Sequence, residues 1–230
     1  MTHLDVELKN LKNDMLEMFE LVLSQLNKSK EALFQFDKDL AREVLVNEKR
    51  VNGFELKLDR DCENIIALFN PVAVDLRFVL ACMKINSNLE RIGDIAEGIC
   101  QFVLNIKLDP EKELLEKTRL LEMFETSAII LTDVMTAFEM EDTRLARSVF
   151  KKDEILDQIN MNANESVGDF IKNNLDRINQ SLYTLSIIRK LERVGDQCKN
   201  ISEEIIFYIE AKVLKHKPRS QKQEMPGEGN

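Results

Sequence analysis

L-E-R-I-G-D at Leu89 to Asp94 returns as L-E-R-V-G-D at Leu191 to Asp196. Both copies lie inside long segments whose apolar residues recur at three and four, the spacing of an amphipathic helix. In a helix the glutamate and aspartate of each copy stand four residues apart, one turn up the same face. Each copy also sets a glycine, Gly93 or Gly195, in mid-helix, where it costs roughly 1 kcal/mol against alanine. That cost, met twice at the same place, predicts a close approach to the backbone there.

The duplication extends outward from the hexamers. L-E-M-F-E at Leu16 to Glu20 recurs at Leu121 to Glu125, and L-A-R at Leu40 to Arg42 recurs at Leu145 to Arg147, both 105 residues on, whereas the hexamers are 102 apart. The second copy therefore lacks three residues between its second and third helices, and a turn is the natural place to lose them. Such a period is too long for a solenoid, and two copies predict tandem three-helix bundles related by pseudo-twofold symmetry. Composition points the same way: 7 Gly, 4 Pro and no Trp in 230 residues predict an all-α chain without a sheet.

Along the chain, Leu4 to Phe36 predicts a first helix whose buried stripe is Leu4, Leu8, Leu11, Met15, Met18, Val22, Gln25 and Ser29. Asp37 to Asp39 marks a turn or an N-cap, and Leu40 to Phe69 a second helix carrying Val44, Val51, Phe54, Leu58, Ile65 and Leu68. Asn70-Pro71 and Asp109-Pro110 are expected as cap-and-restart signals, opening a third helix to about Lys107 and a fourth over Glu111 to Met140. Asp142 opens a fifth to about Asn173, and Asn174 to Leu214 holds a sixth. The expected units are 1–107 and 108–214, followed by a polar, disordered tail over 215–230.

Charge and composition exclude several function classes. A net charge of −9 disfavours nucleic acid, whose phosphates demand clustered Lys and Arg. No apolar run approaches the ~20 residues that span a bilayer, and M-T-H-L-D-V-E is no signal peptide, so a cytoplasmic protein is expected. Cys62, Cys82, Cys100 and Cys198 form no C-x-x-C pair and are expected as free buried thiols. With only His3 and His216, the chain has no H-E-x-x-H, no serine triad and no di-iron E-x-x-H.

The acids remain. At about 100° per residue, Glu90, Asp94 and Glu97 fall within roughly 60° of one another, opposite Leu89, Ile92, Ala96 and Ile99. In the second copy Glu192, Asp196 and Glu203 form the stripe, with Lys199 where the first copy has Glu97, so the two sites need not be equal. The 105-residue offset aligns Glu48 with Asp153 and Asn52 with Asp157, which three-helix packing could bring beside the hexamers. A solvated acidic face is the ordinary reading of such a stripe. Three things argue for a cation instead: the like charges at i, i+4 repel, the glycines clear room, and the arrangement is doubled. Oxygen-only ligands would favour hard ions such as Mg²⁺, Mn²⁺, Ca²⁺ or iron over tetrahedral zinc.

The doubled hexamer, P-V-A-V-D-L-R from Pro71 to Arg77 and D-E-I-L-D from Asp153 to Asp157 resemble the PhoU family of phosphate-transport accessory proteins, over nearly the whole chain. The resemblance implies metal clusters held by E(D)-x-x-x-D motifs. These fall on Glu90 with Asp94, Glu192 with Asp196, and Asp153 with Asp157, while Glu48 with Asn52 is a degenerate copy. Members often carry a histidine straight after the hexamer, where this chain has Ile95 and Gln197. It implies an adaptor without catalytic residues, a negative regulator of the phosphate-starvation response. Such an adaptor links a phosphate-specific ABC transporter to a sensor histidine kinase, touching a membrane complex from its periphery. The metal expected is iron, Mn or Mg, and the long apolar helix faces are compatible with a homodimer. The rivals are a phosphohydrolase using carboxylate-bound metal to activate water, and a purely structural helical bundle.

Overall fold

In the computed structural model, which describes residues 2–214, Thr2 opens the first helix with a capping box: its hydroxyl accepts from Asp5 N–H, and the Asp5 carboxylate accepts from Thr2 N–H. The expected tail over 215–230 lies outside the described residues. Among those residues there are seven α-helices and no strand. They are α1 (His3–Phe34), α2 (Lys38–Phe69), α3 (Ala73–Asn105), α4 (Lys112–Lys117), α5 (Leu120–Met140), α6 (Thr143–Asn173) and α7 (Ile178–Glu210).

The repeat is visible at single corners. Between α1 and α2, Phe36 takes φ 53° and Asp37 N–H donates to Ala32 O at 2.9 Å; between α5 and α6, Glu141 takes φ 56° and Asp142 N–H donates to Ala137 O at 3.0 Å. Each aspartate then caps the next helix, accepting from the N–H groups two and three residues on. Such a cap contributes about 1 kcal/mol, and here one residue closes a corner with its backbone N–H and starts a helix with its carboxylate.

Three expected boundaries differ. Asn70 closes α2 in the left-handed region, φ 47°, instead of opening α3, whose N-cap is Val72. Asparagine tolerates that region better than any other residue except glycine. The fourth helix is broken: Arg119 takes φ 52°, so α4 ends and α5 restarts, with the hydroxyl of the buried Thr118 donating to Leu114 O at 2.7 Å beside the break. A 3-10 turn, Leu175–Arg177, precedes α7, which stops at Ala211 in the left-handed region. The buried stripe of α1 is as expected, with Leu4 and Leu8 half-buried; on α2, Leu68 is exposed.

α1, α2 and α3 form one bundle and α5, α6 and α7 the other, with α1 against α5 and α3 against α7 joining them. α2 and α6 pack only within their own halves and face outward. α3 and α7 run antiparallel, with Phe78 beside Tyr208 at one end and Phe102 beside Tyr183 at the other. Between them, Asn200 Nδ2 donates to Asn88 Oδ1, and Lys190 Nζ crosses above Gly98. Under the 102-residue offset the first of these contacts maps onto the second, as a twofold interface requires. Their midpoints are Gly93 and Gly195, so the pseudo-twofold axis passes between the two hexamers. All four cysteines are free and buried, and burial pushes the thiols of Cys62 and Cys100 up to about 12.

Candidate functional site

The glycines admit a neighbouring helix. A Cβ on Gly93 would come within 2.9 Å of Val51 Cγ1. On Gly195 it would strike the Asp153 carboxylate and approach Leu156 Cδ1 to 2.7 Å. Val51 and Leu156 are equivalent under the 105-residue offset, so in each half the outer helix settles onto the glycine. That close contact carries Glu48 of α2 and Asp153 of α6 up to the hexamer acids.

In the first half this collects carboxylates without a counter-charge. Glu48 is 5% exposed and neither of its oxygens accepts a hydrogen bond. Burial, then Asp94, Glu97 and Glu90, push its carboxyl up to about 7. Glu90 is raised by burial, Asp94 and Glu55, with the exposed Arg91 acting weakly the other way. Glu55 is raised by burial, Asp59 and Asp94. Among the described residues no ion pair reaches Glu48, Glu55, Glu90, Asp94 or Glu97. Glu55 and Asp59 were missed by the sequence reading, although they are themselves an E-x-x-x-D pair and Glu55 lies seven residues, two turns, beyond Glu48. Asn52 is exposed.

The second half gathers Asp153, Asp157, Glu192 and Asp196 in the same way but around an internal cation. Lys199 Nζ stands 2.5 Å from Asp153 Oδ2 and 2.7 Å from Asp196 Oδ1. Asp153 is fully buried, which raises its carboxyl, and the Lys199 hydrogen bond offsets part of that rise while Asp157 and Asp196 add to it. Glu192 is raised by burial, Asp196 and Asp157. Burial alone would lower Lys199, but its hydrogen bonds to Asp153 and Asp196 outweigh it and hold the ammonium above its ordinary value. Glu203, placed on this stripe by spacing, lies elsewhere: it lines a cavity of about 110 Å³ with Lys84, Glu204 and Phe207.

The two clusters differ in their fit for a metal ion. Oxygen-only donors and a buried carboxylate with no donor to satisfy it suit a hard cation at Glu48, Glu90, Asp94 and Glu97. Among the described residues no group of three or more His, Cys, Asp or Glu side chains is set to hold a metal ion, so a cation there would have to draw the carboxylates inward. In the second cluster an ammonium already sits between Asp153 and Asp196.

Comparison with known proteins gives one consistent result. The model of the PhoU domain matches residues 15–103 and again 120–205, the two halves of the duplication. The chain is 32% identical over 213 residues to the phosphate-specific transport system accessory protein PhoU of Escherichia coli K12, covering 92% of this chain and 87% of that protein. It is 31% identical over 214 residues to PhoU homolog 1 of Thermotoga maritima, covering 93% and 91%. The crystal structure of PhoU from Pseudomonas aeruginosa superposes with a TM-score of 0.85 at 27% identity, over 90% of this chain and 99% of that one. That of the phosphate transport system regulatory protein PhoU from Streptococcus pneumoniae superposes with a TM-score of 0.80 at 30% identity, over 92% and 99%. With its fold, its internal repeat and both domain copies in agreement, the chain belongs to the PhoU family.

Proposed function

We propose that the chain is a regulatory accessory protein of a phosphate-specific transport system, working at the cytoplasmic face of a membrane complex and catalysing no reaction itself. The observation that carries this is the family domain matched twice, over residues 15–103 and 120–205, with relatives named for that role that align over 92–93% of the chain. No helix among the described residues is long and apolar enough to cross a membrane, which accords with contact at the periphery of the complex. In this reading the protein couples a phosphate ABC transporter to a sensor histidine kinase and holds the phosphate-starvation response down. Coupling of that kind requires differential affinity for two states of a partner.

Metal enters as part of the same proposal. Glu48, Glu90, Asp94 and Glu97, with Glu55 at the edge, would hold a hard cation such as Mn²⁺, Mg²⁺ or iron, which would supply the positive charge the cluster lacks. The chain's own residues supply the rest. α2 and α3 position the carboxylates, Val51 on Gly93 sets their spacing, and the outward face of α2 presents the result to a partner. A second copy of the chain, forming a homodimer, belongs to the same proposal.

The test is a deletion strain carrying a reporter of the phosphate-starvation response, grown in phosphate-rich medium. The expected result is derepression on deletion and restoration by the intact gene, with transporter and kinase components recovered in a pull-down that weakens with chelator. An unchanged reporter would rule the regulatory role out.

A further inference from the structure

Lys199 occupies the position where the first half has Glu97, and its ammonium bridges the buried Asp153 to Asp196. We infer that Lys199 is the built-in counter-ion of the second acidic cluster, so that metal loads in the first cluster alone and the two halves of the duplication have divided their roles.

Three observations carry this. Lys199 reaches Asp153 from α7 and Asp196 from one turn back along the same helix, so it lies between the two carboxylates that a shared cation would join. Its side chain is only 17% exposed and that of Asp153 is 0% exposed. An ion entering there would have to expel an ammonium into water and leave its place to be filled. The first cluster presents the opposite condition: a buried Glu48 with two oxygens lacking any donor, surrounded by further carboxylates and reached by no ion pair among the described residues. A buried carboxylate must be paired or must bind a cation to stay charged. One half has done the first, and the other is left to do the second.

The inference rests on the reading that the chain binds metal at all, so the experiment separates the two. Mn²⁺ is titrated calorimetrically into protein stripped with chelator, with folding checked by circular dichroism. Intact protein is expected to bind, and Glu90→Ala with Asp94→Ala to weaken binding more than tenfold. Adding Lys199→Met to that pair is expected to restore binding, now abolished by Glu192→Ala. If Lys199→Met does not fold, Lys199→Gln, whose amide still donates to Asp153, takes its place. Binding that survives Glu90→Ala with Asp94→Ala while Lys199 is intact overturns the inference, and so does failure of the Lys199 variant to gain a site. Thermal melts in chelator judge Lys199 without metal. Lys199→Met should lower the melting temperature by on the order of 10 °C, and Asp153→Asn added to it should recover most of the loss. Additive losses from those two substitutions overturn the counter-ion role. If no variant binds Mn²⁺, the metal reading fails while the melts still decide for or against Lys199.

Discussion

Glu48 gives up its water and receives only like-charged neighbours, so its charged form is disfavoured when no cation is present. Its value of about 7 when folded, against 4.5 for the free group, means that folding takes up a proton across that interval. The destabilisation is therefore absent below about pH 4.5, grows as pH rises, and is complete above 7. Replacing the carboxylate by its neutral isostere should reverse it. In chelator at pH 8, Glu48→Gln is expected to stabilise the protein by on the order of 2–3 kcal/mol in denaturant unfolding, with the gain vanishing near pH 4.5. The same change should weaken Mn²⁺ binding. A gain of equal size at both pH values would show that the substitution acts by packing and not by charge.

The glycines make a second comparison at this scale. Gly195→Ala must displace Asp153 or Leu156, both wholly buried, and is expected to cost about 2–3 kcal/mol. Gly53 and Gly168 stand in helices with nothing within 4 Å of a would-be Cβ, so alanine there is expected to stabilise by about 0.5–1 kcal/mol. Melting temperatures of the three variants should thus move in opposite directions. If Gly195→Ala were neutral, the close seating of α6 on α7 would be wrong.

At the scale of the helices, the ends are where sequence and structure part. Asp37 and Asp142 were legible as caps because an aspartate before an apolar-periodic run has one common use. Asn70 was misread because asparagine serves both ends of a helix, and only the φ of 47° imposed by the α2–α3 corner decides between them. The break at Thr118–Arg119 carries no glycine or proline, so nothing local announced it; it is the left-handed φ of 52° at Arg119 that ends one helix and starts the next. The site was legible in the same uneven way. Spacing along one helix found Glu90, Asp94, Glu192 and Asp196, and the repeat offset found Glu48 and Asp153. Glu55 and Asp59 were passed over because nothing in the second copy matches them, and Glu203 was misplaced because spacing along α7 does not show that its side chain lines a cavity with Lys84 of α3.

The end of α7 yields its own test. Ala211 holds φ 55° after the last helical residue, a conformation that glycine adopts without strain. Ala211→Gly is expected to add about 1 kcal/mol, read as a rise in the denaturant midpoint. Nearby, Glu210 receives Arg147 from the start of α6 at 2.8 Å, an ion pair in which the Arg147 side chain is 5% exposed. Burial raises the Glu210 carboxyl, yet the hydrogen bond from Thr143 and the Arg147 and Lys212 charges outweigh it and hold it below its ordinary value. Its contribution is thus present above about pH 4.5 and lost as pH falls through the lower folded value.

Across the whole molecule the two bundles are not independent bodies. Phe19 of α1, Phe78 of α3, Phe138 of α5 and Tyr208 of α7 meet at one junction, with ring centroids 5.4–6.3 Å apart, and each ring comes from a different one of the four central helices. A buried phenylalanine truncated to alanine costs about 3–5 kcal/mol, and Phe138 serves both halves at once. Calorimetry should therefore show one transition for the intact protein, and Phe138→Ala should lower it as one. This decides what a metal ion can do. A cation held by the first cluster favours the folded state by an amount set by its concentration over its dissociation constant, about 2.7 kcal/mol at a hundredfold excess. With a shared junction that gain reaches α5, α6 and α7 as well, so adding Mn²⁺ to chelated protein should move the single transition upward without splitting it. If the thermogram instead resolved into two peaks, only one of them sensitive to Mn²⁺, the aromatic junction would not couple the halves, and metal in the first would act on that half alone.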